Sequence, residues 1–284
     1  MSDPKPQITR FAPSPTGYLH LGHAYSAILA AKLADDGRFI LRIEDIDPER
    51  CQPEFEDAIY EDLEWLGLSW DQPIRRQSEH IPDYVGALNG LSQKGLLYPC
   101  FCTRKDIARE IETAGHAPHG PDGPFYPGIC RSLTDANRQS RMDNGDAFAL
   151  RLNIQNAVDL AGPLTWVSRD MKGHEEEIRA TPEMFGDVVL ARKAFPTSYH
   201  IACTFDDHLQ GVSLVSRGED LSASTHIHRL LQSLLNLNSP SYLHHPLLTN
   251  EKGKRYAKRD KSLTLRSLRD AGKTPRDIRA LVGL

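Results

Sequence analysis

No apolar run in the 284-residue sequence approaches the roughly 18 residues that a membrane-crossing helix requires. The first ten residues carry Asp3, Lys5 and two prolines but no apolar stretch, so no secretory signal is visible. Cysteine is scarce: five residues, an odd number, two of them separated by a single residue. That excludes a dense disulfide framework and points to a reducing, cytoplasmic setting in which thiols bind metal. An excess of one charge is lacking too. Lys and Arg total 34 against 38 Asp and Glu, a net charge of −4, so no global basic field advertises RNA. No internal repeat or low-complexity tract interrupts the chain. The remaining composition supplies apolar residues for one large or two unequal domains and excludes wholesale disorder.

Locally the charge is uneven. Ten carboxylates fall between Glu44 and Glu64 with only Arg50 opposing them. Six basic residues fall between Lys252 and Lys261 with only Asp260 opposing them. Either run reads as a solvated face, and the basic one also suits a phosphate-contacting loop. Residues 8–12 read as a short strand stopped by Pro13-Ser14-Pro15-Thr16-Gly17, with a helix expected over 21–34. Residues 39–44 make the next strand, so the opening is a βαβ unit with its ligand site at the strand C-terminal ends. Helical spacing recurs at 55–66 and 81–91, and strands are expected at 147–152, 164–167, 187–192 and 212–217. A further helix is expected from Ser224. Between Tyr98 and Gly145, Cys, Pro, Gly and His crowd together; residues 116–124 cannot be a regular element, and the stretch reads as part of an insertion. The expected class is α/β, a Rossmann-like doubly wound parallel sheet interrupted by an inserted subdomain.

The densest chemistry lies in Arg10-Phe11-Ala12-Pro13-Ser14-Pro15-Thr16-Gly17-Tyr18-Leu19-His20-Leu21-Gly22-His23. A Gly/Pro turn from strand into helix leaves backbone N–H groups facing any anion placed there. His20 and His23, three apart at the helix start, can face one ligand and stabilise charge developing on a phosphate. Gly22 leaves room for a flat base against the backbone. Arg10 and Glu44, a guanidinium and an acid, each stand at a strand end. Cys100 and Cys102 form C-x-C, and Cys130 lies 28 residues beyond Cys102. Three thiolates want a fourth ligand for tetrahedral zinc, and on ligand chemistry alone His116 and His119 are the candidates. The plain alternatives are a capped turn with two surface histidines, and cysteines that bind nothing.

His20-Leu21-Gly22-His23 resembles the HIGH signature of class I aminoacyl-tRNA synthetases. The string from Arg10 to Gly17 is similar to the glutamyl/glutaminyl branch of that class, and Arg42-Ile43-Glu44-Asp45-Ile46-Asp47 resembles the branch's second block. Tyr199-His200-Ile201-Ala202, Asp206-Asp207-His208-Leu209-Gln210-Gly211 and Arg217-Gly218-Glu219-Asp220-Leu221 resemble its second half. The resemblance implies ATP as substrate, with Mg²⁺ as its counterion. It implies glutamate held by Arg10, Phe11, Ala12, Pro13, Ser14, Glu44, Tyr199 and Arg217. It further implies that His20, Gly22, His23 and a signature-loop lysine bind ATP, with the two histidines and the lysine catalytic. The loop departs from the pattern: Arg255-Tyr256-Ala257-Lys258-Arg259 stands where a KMSKS-like segment is expected after His245-Pro246-Leu247. Lys258 is preferred because that register keeps Ser262-Leu263-Thr264-Leu265 aligned; Lys261 is the alternative. Tyr126-Pro127-Gly128-Ile129-Cys130 resembles the family's Tyr-x-x-x-Cys. The resemblance therefore makes Tyr126 the fourth ligand, beside Cys100, Cys102 and Cys130, of one structural zinc, with His119 the runner-up.

The chain ends at Leu284, soon after the signature loop, so no anticodon-binding domain is expected. A catalytic core with a zinc insertion and no such domain resembles the glutamyl-queuosine tRNA(Asp) synthetase family. Members activate glutamate with ATP and transfer it to the queuosine base in the anticodon loop of tRNA(Asp). The implied partners are L-glutamate, ATP and the anticodon arm of queuosine-containing tRNA(Asp), with no membrane. Competing readings are a minimal glutamyl-tRNA synthetase charging a 3′ end, an RNA-independent adenylate-forming nucleotidyltransferase, and a non-catalytic RNA-binding or regulatory module. The expected organisation places the two halves of the core at 1–98 and 186–245 and the zinc-binding insertion at 99–185. The signature loop and a short tail take 246–284.

Overall fold

The computed structural model describes residues 6–113, 119–121, 123–248 and 264–284. Strand β1 (Ile8–Phe11) runs into the Pro/Gly turn, helix α1 (Leu21–Ala34) follows, and β2 (Arg38–Ile43) returns parallel to β1. Small residues let α1 bed deeply: Ala24, Ala27 and Ala30 are buried, and the Thr9 hydroxyl of β1 donates to the Ala30 carbonyl at 2.7 Å. The helix stops at Asp35, whose φ of 49° leaves the right-handed region. At Gly37 a Cβ would sit 1.9 Å from the Gln7 carbonyl oxygen, so only glycine lets the chain turn there. Helix α2 (Pro53–Trp65) leads to β3 (Asp71–Arg76), which pairs parallel with β2 and completes a sheet in the order β1-β2-β3.

After α3 (Ile81–Gln93), strand β4 (Leu97–Cys100) and helix α4 (Arg104–Thr113) open a second region. Two-residue strands β5 (His119–Gly120) and β6 (Gly123–Pro124) pair antiparallel. The described part of the stretch expected to be irregular is thus a hairpin, short enough to tolerate its Gly and Pro. Helix α5 (Asp135–Asp143), strand β7 (Ala149–Leu152), helix α6 (Ile154–Ala161) and strands β8 (Thr165–Arg169) and β9 (Glu175–Arg179) follow. Strand β10 (Val189–Ala191) joins β7 and β4 in an antiparallel sheet ordered β10-β7-β4.

The chain then forms α7 (Tyr199–Leu209), β11 (Leu214–Gly218), α8 (Ser224–Leu235) and β12 (Ser241–His245). Helices α9 (Leu265–Asp270) and α10 (Pro275–Val282) end it. Strands β11, β12 and β8 pair parallel, and β9 closes that sheet antiparallel. Residues 165–179 therefore pair with the second half of the core, although they fall inside the stretch expected to be inserted. Among the described residues the expected single parallel sheet is divided in two. The halves meet where the Ser213 N–H donates to the Ile8 carbonyl, and the Ile8 N–H to the Ser213 hydroxyl, each at 2.9 Å. Further along the seam the Ser216 carbonyl accepts from the Arg10 guanidinium at 3.2 Å.

Two apolar clusters flank this seam. One gathers Phe11, Ile28, Leu41, Ile59 and Leu63 with Leu265 and Ile278 from the last two helices. The other packs Tyr84, Leu88 and Leu91 of α3 against Ile201 of α7 and Ile227, Leu230 and Leu231 of α8. No helix among the described residues is long and apolar enough to cross a membrane.

Candidate active site

A cleft of about 500 Å³ opens where β1, β2 and β11 end, within the range usual for small-molecule sites. Its wall brings together Arg10, Phe11, Ala12, Pro13, Ser14, His20, Gly22, His23, Glu44, Tyr199 and Arg217. Ser26, Ser216, Asp220, Leu221, Leu247 and Leu248 also line it. Lys258 and its alternative Lys261 lie outside the described residues.

The floor is a buried charge network. Asp207 of α7 accepts from Arg10 Nε at 3.0 Å and from Arg42 Nη2 at 2.8 Å, so one carboxylate serves two guanidiniums. Arg42 also reaches Glu44 at 3.5 Å and donates to Gln210 Oε1 at 2.9 Å. Below it, Asp206 accepts from Arg75 Nε (2.7 Å), Gln77 (2.9 Å) and the Tyr84 hydroxyl (2.8 Å), which fixes α7 against β3 and α3. Burial works against the charge on Asp207, but Arg10 and Arg42 outweigh it and hold its carboxyl below the usual carboxylate range. Glu44 goes the other way: burial pushes its carboxyl up further than Arg42 and Arg10 pull it down.

The far wall is built differently. Arg217 is buried at the end of β11, yet among the described residues no carboxylate pairs with it. Its partners are the Tyr199 hydroxyl (3.3 Å), His228 Nδ1 (3.2 Å), the Thr225 hydroxyl (2.6 Å) and His244 Nε2 (3.4 Å).

At the mouth, His20 caps α1. Its Nδ1 accepts from the Gly22 N–H at 3.1 Å, and His23 Nδ1 accepts from the His20 N–H at 3.2 Å. With Nδ1 used as acceptor in both rings, each neutral imidazole carries its proton on Nε2. The ring centroids lie 3.8 Å apart. A Cβ on Gly22 would approach the His20 ring to 3.0 Å, so a larger residue there would make that ring give way by a few tenths of an ångström. Thr264 forms an isolated bridge with His20, and the Leu265 N–H donates to the Leu19 carbonyl at 2.8 Å, which starts α9 against the helix cap.

Away from the cleft, the sulfurs of Cys100, Cys102 and Cys130 lie within 4.8 Å of one another. The Tyr126 hydroxyl lies 3.4 Å from both Cys100 Sγ and Cys102 Sγ and accepts from the Cys130 N–H at 2.8 Å. Cys130 Sγ in turn accepts from the Phe101 N–H at 3.3 Å. Arg151 stacks over the Tyr126 ring at 3.9 Å. Three thiols and a phenol converging without a disulfide fit the donor set of a closed four-ligand site for a thiophilic dication. His116 lies outside the described residues, as does the side chain of His119.

The family described as tRNA synthetases class I (E and Q), catalytic domain, matches residues 7–284. The chain belongs to the class I tRNA synthetases of glutamate and glutamine type. This synthetase is 47% identical to the glutamyl-Q tRNA(Asp) synthetase of Rhodobacter capsulatus, over 98% of this chain and 100% of that one. It is 38% identical to the glutamate–tRNA ligase of Aquifex aeolicus over 94% of its own length, but spans 54% of that ligase. The crystal structure of the glutamate–tRNA synthetase from Elizabethkingia anophelis matches it with a TM-score of 0.74 at 28% identity, covering 91% of this chain and 54% of that one. The α/β architecture is thus the class I catalytic fold.

Sequence reasoning quoted the strings that hold Arg42, Asp206, Asp207 and Gln210 but gave these residues no part in the synthetase's cleft. A signal was present. Arg42 interrupts the apolar strand Phe39-Ile40-Leu41-Arg42-Ile43, and a guanidinium in such a run must find a buried counter-charge. His228 and His244 carried no comparable mark.

Proposed function

We propose that this synthetase activates L-glutamate with ATP and transfers the glutamyl group to the queuosine base in the anticodon loop of tRNA(Asp). The observation that carries the amino-acid half is the charge of the cleft. Arg10 and Arg42 are paired with Asp207 and Glu44, whereas among the described residues no carboxylate pairs with the buried Arg217. A buried guanidinium without an acidic partner suits the second carboxylate that sets glutamate apart from a neutral amino acid. Arg217 and Tyr199 suit the side-chain carboxylate, Glu44 suits the ammonium, and Arg10 with the backbone from Phe11 to Ser14 holds the rest of the molecule. The acceptor half rests on the end-to-end likeness to the R. capsulatus protein.

In the first step the glutamate α-carboxylate attacks the ATP α-phosphate in line, and pyrophosphate leaves. His20 and His23 offer Nε2–H donors to the phosphates even when uncharged, and Gly22 makes room for the adenine. Lys258 is the sequence's candidate for the β- and γ-phosphates, which Mg²⁺ accompanies. No covalent bond to the enzyme is needed; positioning and charge stabilisation do the chemistry. In the second step a hydroxyl of the queuosine cyclopentene diol attacks the glutamyl carbonyl, and AMP leaves. Cys100, Cys102, Cys130 and Tyr126 would hold one structural zinc, which cross-links a loop-rich segment with little core of its own and takes no part in either step.

Incubation with ATP and labelled glutamate tests the reading, using tRNA from cells that make queuosine and from cells that do not. Label on the first pool alone is expected. Label on both would replace the proposal with charging of a 3′ end, and label on neither, with no glutamate-dependent pyrophosphate exchange, would overturn it altogether.

A further inference from the structure

Arg217 fixes the protonation of the side chains around it. A guanidinium offers only donors, so each of its partners must present a lone pair. His228 Nδ1 and His244 Nε2 are therefore unprotonated. The proton of His228 sits on Nε2 and is donated to His200 Nδ1 at 3.2 Å. Thr225 accepts from Arg217 and turns its own hydroxyl proton toward His244 Nε2 at 3.1 Å. The whole set is satisfied when all three rings are neutral.

The surroundings enforce that neutrality. The charged groups facing these rings are Arg217, Arg10 and Arg192, all cations, with His226 and His245 beside His244. The other neighbours are the rings of Tyr199, Phe185, Trp166 and Tyr242. Burial first, and Arg217 second, push His200 down to about 4, His244 to about 3, and His228 far below its ordinary value. Among the described residues no carboxylate pairs with any of the three.

We propose that His228 and His244 are positioning residues that set which amino acid the cleft accepts. By gripping Arg217 through uncharged acceptors they aim its guanidinium and leave its full charge for the substrate's side-chain carboxylate. The inference rests on reading the cleft as a glutamate site. The contrast is internal to the protein: Arg10 is held by Asp207, and its charge is matched before any ligand arrives. Were Arg217 held the same way, the wall would be neutral and would suit a carboxamide as well as a carboxylate. Discrimination between glutamate and glutamine, nearly equal in size, is then decided behind the residue that touches the substrate.

Pyrophosphate exchange by the full chain, driven separately by glutamate and by glutamine, tests this. His228→Asp gives Arg217 a carboxylate partner and should raise KM for glutamate on the order of 100-fold, with kcat changed less than about 3-fold and the preference over glutamine lost. His228→Asn has nearly the same size but offers a neutral acceptor, and should restore the preference to within about 5-fold of wild type. A His228→Asp enzyme that keeps the wild-type preference overturns the inference. A wild-type enzyme with no glutamate-dependent exchange overturns instead the reading of the cleft. Should His228→Asp fail to fold, nitrogen NMR of the wild-type imidazoles decides. The inference requires neutral rings, with the His228 proton on Nε2, between about pH 6 and 8; an imidazolium there sinks it.

Discussion

In the cleft, buried guanidiniums take their acceptors from the chain itself: Asp207 for Arg10 and Arg42, neutral oxygens and ring nitrogens for Arg217. In the thiol cluster, three sulfurs and a phenol crowd together with only weak bonds among themselves. Burial pushes the Cys102 thiol up to about 12, so without a cation that thiol stays protonated; burial also opposes the Cys130 thiolate, but hydrogen bonds from Tyr126 and the Phe101 N–H outweigh it and hold Cys130 down. A dication makes the thiolates the favoured forms. One region is organised by residues the sequence encodes, and the other, on the proposal made above, by a cation bound to its thiols. Damage to the cleft wall should therefore appear in substrate affinity, and damage to the cluster in stability.

The strongest way to break this contrast is at the cleft floor, where stability and binding meet. Asp207→Ala leaves the buried Arg10 without its carboxylate and Arg42 with only Glu44 and Asp206, at 3.5 and 3.9 Å, and should cost about 3–5 kcal/mol in urea unfolding. A loss below about 1 kcal/mol would mean that water reaches the floor and screens it. Next comes the cluster. The protein should carry about one zinc per chain, and Cys102→Ser or chelation should lower unfolding stability by about 2–4 kcal/mol. Exchange measured well below the melting temperature should change by less than about 3-fold; a stable but inactive protein would erase the distinction between the regions. Arg217→Lys sharpens it from the other side. Replacing the planar fork by a point charge should raise KM for glutamate about 100-fold with little change in melting temperature.

The smallest effect separates two carboxylates that share Arg42. Glu44 has a raised folded-state value, so the stability it contributes is present below its unfolded value and lost as pH rises through the folded one. Asp207 is lowered, so its contribution is present above its unfolded value and lost as pH falls through the folded one. Glu44→Gln should accordingly stabilise the protein at pH values above the ordinary carboxylate range and lose that advantage on acidification, while binding glutamate poorly throughout. Thermal melts across pH check the first part, and exchange kinetics the second.

Much of the first βαβ unit could be read directly. The span of α1 and the edges of β1 and β2 follow from one Pro/Gly turn, an Ala- and Leu-rich run and Gly37, all local signals. Helix α7 left no such trace. Its buried face includes Asp206 and Asp207, whose partners lie on β1, β2, β3 and α3, so charged residues interrupt the apolar stripe that would mark it. The residues named from the sequence that the structure brings to the cleft, such as Arg10, His20, Glu44 and Arg217, were legible because their types match the chemistry of the proposed ligands. Those behind them, Asp207, Thr225, His228 and His244, were not, because their value lies in what they touch. The pairing of β8 with β12 was equally hidden, since register between distant strands has no local signature.

The seam between the two sheets also shapes how the chain comes into being. Strand β1 finds β2 only 30 residues downstream, from Ile8 to Arg38, but its other neighbour is 205 residues away at Ser213. At ~5–20 residues per second a ribosome takes roughly 10–40 s to deliver that neighbour. Throughout that interval one side of β1 stands unpaired, the kind of edge on which nascent chains aggregate. Arg10 projects from that strand with no Asp207 yet made to meet it, and an unmatched charge on an open edge repels a second copy. The group that lines the cleft of the finished enzyme is thus, in the unfinished one, an unmatched cation beside an open strand edge.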